Sequence, residues 1–201
     1  MVLIVKPGMH TPIFKPLSPK AAWKHNKANP QKELGANSGC FAPQAEMVLV
    51  SKVESTNYSC AFTTGLGTCL GLIIVEQNRV ACAHLDMPSA ENPNLPTFLS
   101  STFKNVRFIA LAGYDIVNEE GACRNNRMTA AIKAIKSANL TSDILYMPNC
   151  ENVGYFFETD LLSARLLPAD GYDHRSRGVQ YYNMMSQPPS PIGIGAPQSY
   201  Q

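Results

Sequence analysis

Cys69-Leu70-Gly71-Leu72-Ile73-Ile74-Val75 and Val80-Ala81-Cys82-Ala83-His84-Leu85-Asp86 are two short apolar runs, separated only by Glu76-Gln77-Asn78-Arg79. Short runs rich in Ile, Leu and Val, broken by a polar link containing Asn, read as the two strands of a hairpin. If the link centres on Gln77 and Asn78, Glu76 faces Arg79. Gly71 then lies opposite His84, and Asp86 lies opposite Cys69. Directly opposed residues share a face of the sheet, as do residues two apart on one strand. Cys69 and His84 therefore point to one side from neighbouring rungs, with backbones about 7–8 Å apart on the diagonal. Gly71 leaves room for the imidazole to lean toward the thiol. A one-residue slip would put the two side chains on opposite faces.

Other elements extend outward from this hairpin. Residues 46–54 read as a strand. Residues 95–104 carry Leu95, Phe98, Leu99 and Phe103 at helical spacing. Residues 106–112 read as a buried strand ended by Gly113. Residues 125–138 make the clearest helix, with Met128, Ala131, Ile132 and Ile135 on one stripe and Lys133 and Lys136 facing out. Three short strands follow at 143–147, 153–159 and 161–167. Strands outnumber helices and do not alternate strictly with them, which predicts an α+β fold. Residues 1–45 hold six prolines and little periodicity, so they read as an irregular Pro-rich arm. The domain proper is expected over 46–170. Residues 171–201 read as a flexible tail, above all the Pro- and Gly-rich 186–201.

Composition narrows the function classes. Hydrophobic residues make up 45% and charged residues 16% of 201, enough for a real core. The net charge is +2 and no basic run exists, so neither nucleic acid nor a polybasic membrane patch is implied. No apolar stretch approaches the roughly 20 residues of a membrane helix. The apolar start, Met1 to Val5, is shorter than the roughly 7–15 residues of a signal-peptide core. The chain reads as cytoplasmic, or as delivered into a host cell without a cleavable signal peptide. The cysteines, Cys40, Cys60, Cys69, Cys82, Cys123 and Cys150, form no C-x-x-C pair and suggest no disulfide framework.

The chemistry centres on Thr63-Thr64-Gly65-Leu66-Gly67-Thr68-Cys69-Leu70 and Ala83-His84-Leu85-Asp86-Met87-Pro88. Glycines just before a cysteine permit a tight turn that exposes the thiol. The backbone N–H groups of such a turn, Gly67 and Thr68 here, are candidate donors to the oxyanion of a tetrahedral intermediate. A histidine within reach takes the proton of a thiol that is otherwise mostly protonated at neutral pH. It can later return that proton to departing ammonia. A third group should orient the ring, and Thr63 and Asp86 are the local candidates. A threonine hydroxyl from the strand end before the glycine turn reaches the ring from the side away from the thiol. Asp86 follows His84 on its own strand and points alongside it.

The first stretch resembles the T-L-G-L-G-S-C-V segment of bacterial chemoreceptor glutamine deamidases (CheD), and the second resembles their A-H-x-x-L-P segment. Leu111-Ala112-Gly113 sits where that family has a Gly-Gly turn, and Gly121 to Asn125 is similar to its G-x-R-N helix entry. The resemblance covers roughly residues 46–160 and is strongest over 63–88. The wider superfamily includes the cytotoxic necrotizing factor catalytic domain and the protein N-terminal asparagine amidohydrolases. It implies a nucleophile at Cys69, a base at His84, a hydroxyl partner at Thr63, and a two-sheet β-sandwich flanked by helices. It also implies hydrolysis of a glutamine side-chain amide of a protein substrate through a thioester, without a cofactor. Asp86, an acidic residue inside the second motif, is the expected substrate-binding group. It would suit the α-ammonium of an N-terminal asparagine if that were the substrate. The contrasting class is a docking module that keeps the fold without catalysis.

Rival readings involve the remaining side chains. Cys82 shares the face of His84, which raises a metal site of Cys69, Cys82, His84 and Asp86, though the paired-cysteine spacing of structural zinc sites is missing. His10, His25 and His174 lie in irregular segments. Tyr155-Phe156-Phe157 reads as core, and Tyr181-Tyr182 as exposed or as a partner contact.

Overall fold

The computed structural model describes residues 32–33, 39–51, 58–113, 126–140, 144–148, 150–157, 161–163, 166–167, 176 and 179–193. His10, His25, His174, Cys123 and the segment Gly121 to Asn125 lie outside them.

The hairpin forms as the apolar runs require. Strands β5 (Leu70–Glu76) and β6 (Arg79–Leu85) pair antiparallel with Gly71 opposite His84 and Val75 opposite Val80. This is the expected register. Every residue of β5 is buried, because the strand has packing on both faces. Two further strands lie beside the hairpin. On one side, β3 (Glu46–Ser51) pairs antiparallel with β6. On the other, β7 (Val106–Gly113) pairs antiparallel with β5. The larger sheet is completed by β8 (Ile144–Pro148) beside β7, and by β12 (Gln180–Asn183) and β13 (Ser190–Ile192) beyond β3. The smaller sheet holds β2 (Gly39–Phe41), β4 (Cys60–Thr63), β9 (Val153–Phe156) and β10 (Leu161–Ser163), in the order β10-β9-β4-β2. A separate parallel pair joins β1 (Lys32–Glu33) to β11 (Leu166–Leu167).

Alternation along the strands sorts the core into two layers. Ile73, Val75, Val80, Cys82, Phe108 and Ala110 of the large sheet pack with Ala61, Val153 and Tyr155 of the small one. Leu72, Ile74, Ala81, Ala83, Ile109 and Leu111 point the other way, onto helices. These are α1 (Met87–Ala90), α2 (Leu95–Thr102) and α3 (Asn126–Ala138). Leu95, Phe98 and Leu99 of α2 and Ala131, Ala134, Ile135 and Ala138 of α3 are buried there, while Lys133 and Lys136 stay exposed. Burying a Leu, Ile, Val or Phe side chain contributes about 1.5–3 kcal/mol each, so these two layers dominate the stability. The fold is a sheet-dominated α+β sandwich with helices on one outer face. Among the described residues no helix is long and apolar enough to cross a membrane.

The sandwich extends past the boundaries read from the sequence on both sides. Residues 39–45, placed in the arm, supply β2 and the turn into β3. Residues 179–193, placed in the tail, supply two strands of the large sheet. Tyr181, expected at the surface, is buried. Its hydroxyl donates to the Phe41 carbonyl at 3.0 Å and accepts from the Ser176 N–H at 2.8 Å. Tyr182 packs edge-on against Phe98, with ring centroids 5.1 Å apart. Met184 is fully buried, and Asn92 donates to the carbonyls of both Met184 and Ser186 at 2.8 Å. These strands are only three or four residues long, and Pro191 lies within β13, so periodicity alone did not reveal them. By contrast Tyr155 and Phe156 are core residues, as expected.

Candidate active site

Three segments meet at one end of the inter-sheet layer. The first is the end of β4, where Thr63 is the last residue and is fully buried. The second is the connection from Thr64 to Cys69, which crosses from the small sheet to the large one. The third is the end of β6, which carries His84.

The connection is held at several points. Gly65 has φ of +71°, a left-handed conformation that favours glycine. Its N–H donates to Asn152 Oδ1 at 3.3 Å, and the Leu66 N–H donates to the Glu151 carbonyl at 2.8 Å. Leu66 to Cys69 is a turn closed by the Cys69 N–H on the Leu66 carbonyl at 2.9 Å. The Cys69 N–H is therefore used. The N–H groups of Gly67 and Thr68, both exposed, have no partner among the described residues. They are the available donors beside the thiol.

Cys69 lies in the inter-sheet layer at the head of β5, on the face that carries Ile73 and Cys82. It is 8% exposed, whereas Cys40, Cys60 and Cys82 are fully enclosed and Cys150 nearly so. Burial pushes the Cys40 thiol up to about 12 and the Cys82 thiol well above the ordinary range. Burial thus favours the protonated form of both thiols.

His84 is buried against the same layer. Its Nδ1 lies 2.9 Å from Thr63 Oγ1, and that hydroxyl donates its single proton to the Ala42 carbonyl at 2.8 Å. A hydroxyl whose proton is committed can only accept on its other side. The ring proton is thus on Nδ1, and Nε2 carries the lone pair. Nε2 is buried without a hydrogen-bond partner among the described residues. Burial lowers the His84 pKa from its ordinary value, opposed by the nearby Asp86 charge. Burial thus favours the neutral imidazole.

Gly71, opposite His84, turns its bare face to Val153, Leu66 and Thr63. A Cβ there would sit 2.5 Å from Val153 Cγ1 and 3.0 Å from Leu66 Cδ1. Its bareness lets the two sheets close beside the site and brings Thr63 to the ring.

Asp86 has a role that the sequence reading missed. It is the N-cap of α1: its Oδ1 accepts from the Ser89 N–H at 3.0 Å and the Ser89 hydroxyl at 2.7 Å. The signal was an Asp followed within the first turn by proline and then serine. Burial raises the Asp86 pKa, but the Ser89 hydrogen bonds outweigh it and hold the carboxyl below its ordinary range. Oδ2 lies 3.4 Å from the amide nitrogen of Gln44.

Gln44 was also missed. It sits in a turn from Pro43 to Glu46 and forms a parallel bridge to His84. Ala45 has φ of +61°, an uncommon state for a residue with a Cβ that costs of order 1–3 kcal/mol. Its N–H donates to the His84 carbonyl at 2.8 Å. Among the described residues no three His, Cys, Asp or Glu side chains gather as a metal site, so Cys69, Cys82, His84 and Asp86 do not form the cluster considered from sequence.

Comparison with protein-family models finds no match to the chain, and comparison with curated proteins finds none either.

Proposed function

We propose that the protein is a cysteine-dependent amidohydrolase that converts a glutamine side chain of a protein substrate to glutamate. Cys69 is the nucleophile, His84 the base, and Thr63 the residue that fixes the imidazole. One observation carries this reading: the chain Ala42 carbonyl, Thr63 hydroxyl, His84 Nδ1 leaves Nε2 as a buried, unpartnered acceptor on the sheet face that Cys69 shares. Cys69 and His84 Nε2 are not hydrogen-bonded to each other in the free protein, and contacts of this kind are often long or misaligned until substrate binds. The resemblance over residues 63–88 to the glutamine deamidases supports the same assignment.

The cycle balances on these groups. Nε2 takes the Cys69 proton, and the thiolate attacks the carboxamide carbon. The oxyanion accepts from the N–H groups of Gly67 and Thr68. The imidazolium protonates the nitrogen, the C–N bond breaks, and ammonia leaves a thioester. Nε2 then deprotonates water, which attacks the thioester. The product is a carboxylate, with the thiol restored. Asp86, an ionised carboxylate close to His84, is the group that binds substrate.

That carboxylate also favours a second reading, deamidation of an N-terminal asparagine whose α-ammonium pairs with Asp86. Mass spectrometry of peptides with internal glutamine, and of peptides with free N-terminal asparagine, separates the two. Conversion of internal glutamine supports the first reading, and conversion of N-terminal asparagine alone replaces it. Conversion of neither, with no ammonia from any protein substrate, would leave the docking module.

A further inference from the structure

The deamidase reading leaves the leaving nitrogen without a partner until His84 protonates it. An incoming carboxamide presents one acceptor and two donors. The free N–H groups of Gly67 and Thr68 suit its oxygen. Its N–H groups need an acceptor, and the polar side chains adjoining His84 on the side of β3 are Asp86 and Gln44.

Gln44 is exposed, yet its backbone is tightly set. The Pro43–Glu46 turn places Ala45 in the left-handed region and bonds it to the His84 carbonyl on one side and the Met184 N–H on the other, both at 2.8 Å. The bridge to His84 keeps Gln44 level with the base. Strain retained at a non-glycine residue beside a candidate base is a pointer to function. The exposed side chain has one long contact, to Asp86 at 3.4 Å. Asp86 is ionised and can only accept, so the Gln44 amide turns its nitrogen to Oδ2 and its oxygen away from the carboxylate.

We infer that Gln44 is a substrate-positioning residue whose side-chain oxygen accepts an N–H of the scissile carboxamide. This inference rests on the deamidase reading. The arrangement distinguishes amide from acid. A carboxamide offers N–H groups to the Gln44 oxygen, whereas the product carboxylate offers only acceptors and meets both that oxygen and the Asp86 charge. Product is thereby turned out of the site that welcomed substrate.

The test uses the full chain, with dimethylated casein as the glutamine substrate and its deamidated form as the product. For Gln44→Ala, KM should rise about 5–10-fold, the cost of one neutral hydrogen bond, with kcat within about two-fold of wild type. Gln44→Lys should make deamidated casein a stronger inhibitor than it is of wild type, an effect that a merely structural turn residue would not produce. An unchanged KM in Gln44→Ala, or a loss confined to kcat, overturns the inference while leaving the deamidase reading standing. Absence of ammonia release by wild type on casein and on glutamine peptides overturns both.

Discussion

Thr63 and Asp86 flank the same imidazole, and their surroundings assign them different work. The Thr63 hydroxyl is enclosed, spends its proton on the Ala42 carbonyl and accepts from Nδ1. Asp86 is half-buried and occupied by Ser89. Its charge acts on the ring only through space, raising a pKa that burial has lowered. An aspartate in the place of Thr63 would favour the imidazolium and raise the pKa of the ring. Thr63→Ala should therefore lower kcat about 10–100-fold, as for other groups that orient a functional imidazole. Asp86→Asn should appear chiefly in KM. Steady-state ammonia release distinguishes them. Near-normal turnover in Thr63→Ala with an almost inactive Asp86→Asn would reassign the orienting role to Asp86. The contact of Thr63 with the His84 ring was legible in the sequence, because a residue at the strand end before a glycine turn approaches from a direction that Asp86 lacks. The N-cap duty of Asp86 and the place of Gln44 were not. The first depends on a single turn of helix, and the second on a contact between segments forty residues apart in the chain.

At the scale of elements, the hairpin register decides whether Cys69 and His84 share a face. It was readable because two apolar runs flank a short polar link, so few pairings compete. Of strand β4, only its end at Thr63 was read from the sequence. Its four residues, Cys60-Ala61-Phe62-Thr63, are all buried, and a run so short has no visible period. The closeness of β4 and β9 to β5 rests on Gly71. Gly71→Ala should destabilise the fold by about 1–3 kcal/mol through overpacking against Val153 and Leu66. It should also lower activity by displacing Thr63 from the ring. Denaturant unfolding alongside ammonia release checks both, and wild-type values for the two would remove Gly71 from the account. Truncation from Ser186 to Gln201 removes β13 and one of the two Asn92 bonds. It should lower the melting temperature by several degrees, at about 2–4 °C per kcal/mol for a chain of this size. An unchanged melt would return this segment to the status of a dispensable tail.

For the molecule as a whole, pH sensitivity follows from which groups are buried in which state. His84 is held below its ordinary 6.5, so the unfolded chain binds its proton more readily. That stability is present above pH 6.5 and is lost as pH falls through the folded value. Hydrogen bonds to the Lys104 and Asn105 N–H groups, and the Arg79 guanidinium, outweigh burial and hold Glu76 below its ordinary value. Its contribution and that of Asp86 are also lost toward acid. Cys40 and Cys82 act in the opposite direction. Their raised values make stability present below the ordinary 9.0 and lost as pH rises above it. Stability should form a plateau between about pH 6.5 and 9 and decline on both sides, seen by urea unfolding across pH. Monotonic gain into alkali would contradict it. The acid limb of kcat/KM should likewise lie below pH 6.5.

The proposed chemistry turns on one sulfur. A hydroxyl at position 69 would be a far weaker nucleophile than a thiol served by His84. The direct measurement is ammonia release from a glutamine protein substrate by wild type and by Cys69→Ser, with thermal melts of both. Release is expected from wild type, background release from Cys69→Ser, and matching melts from both. Wild-type release by Cys69→Ser would contradict the proposed chemistry.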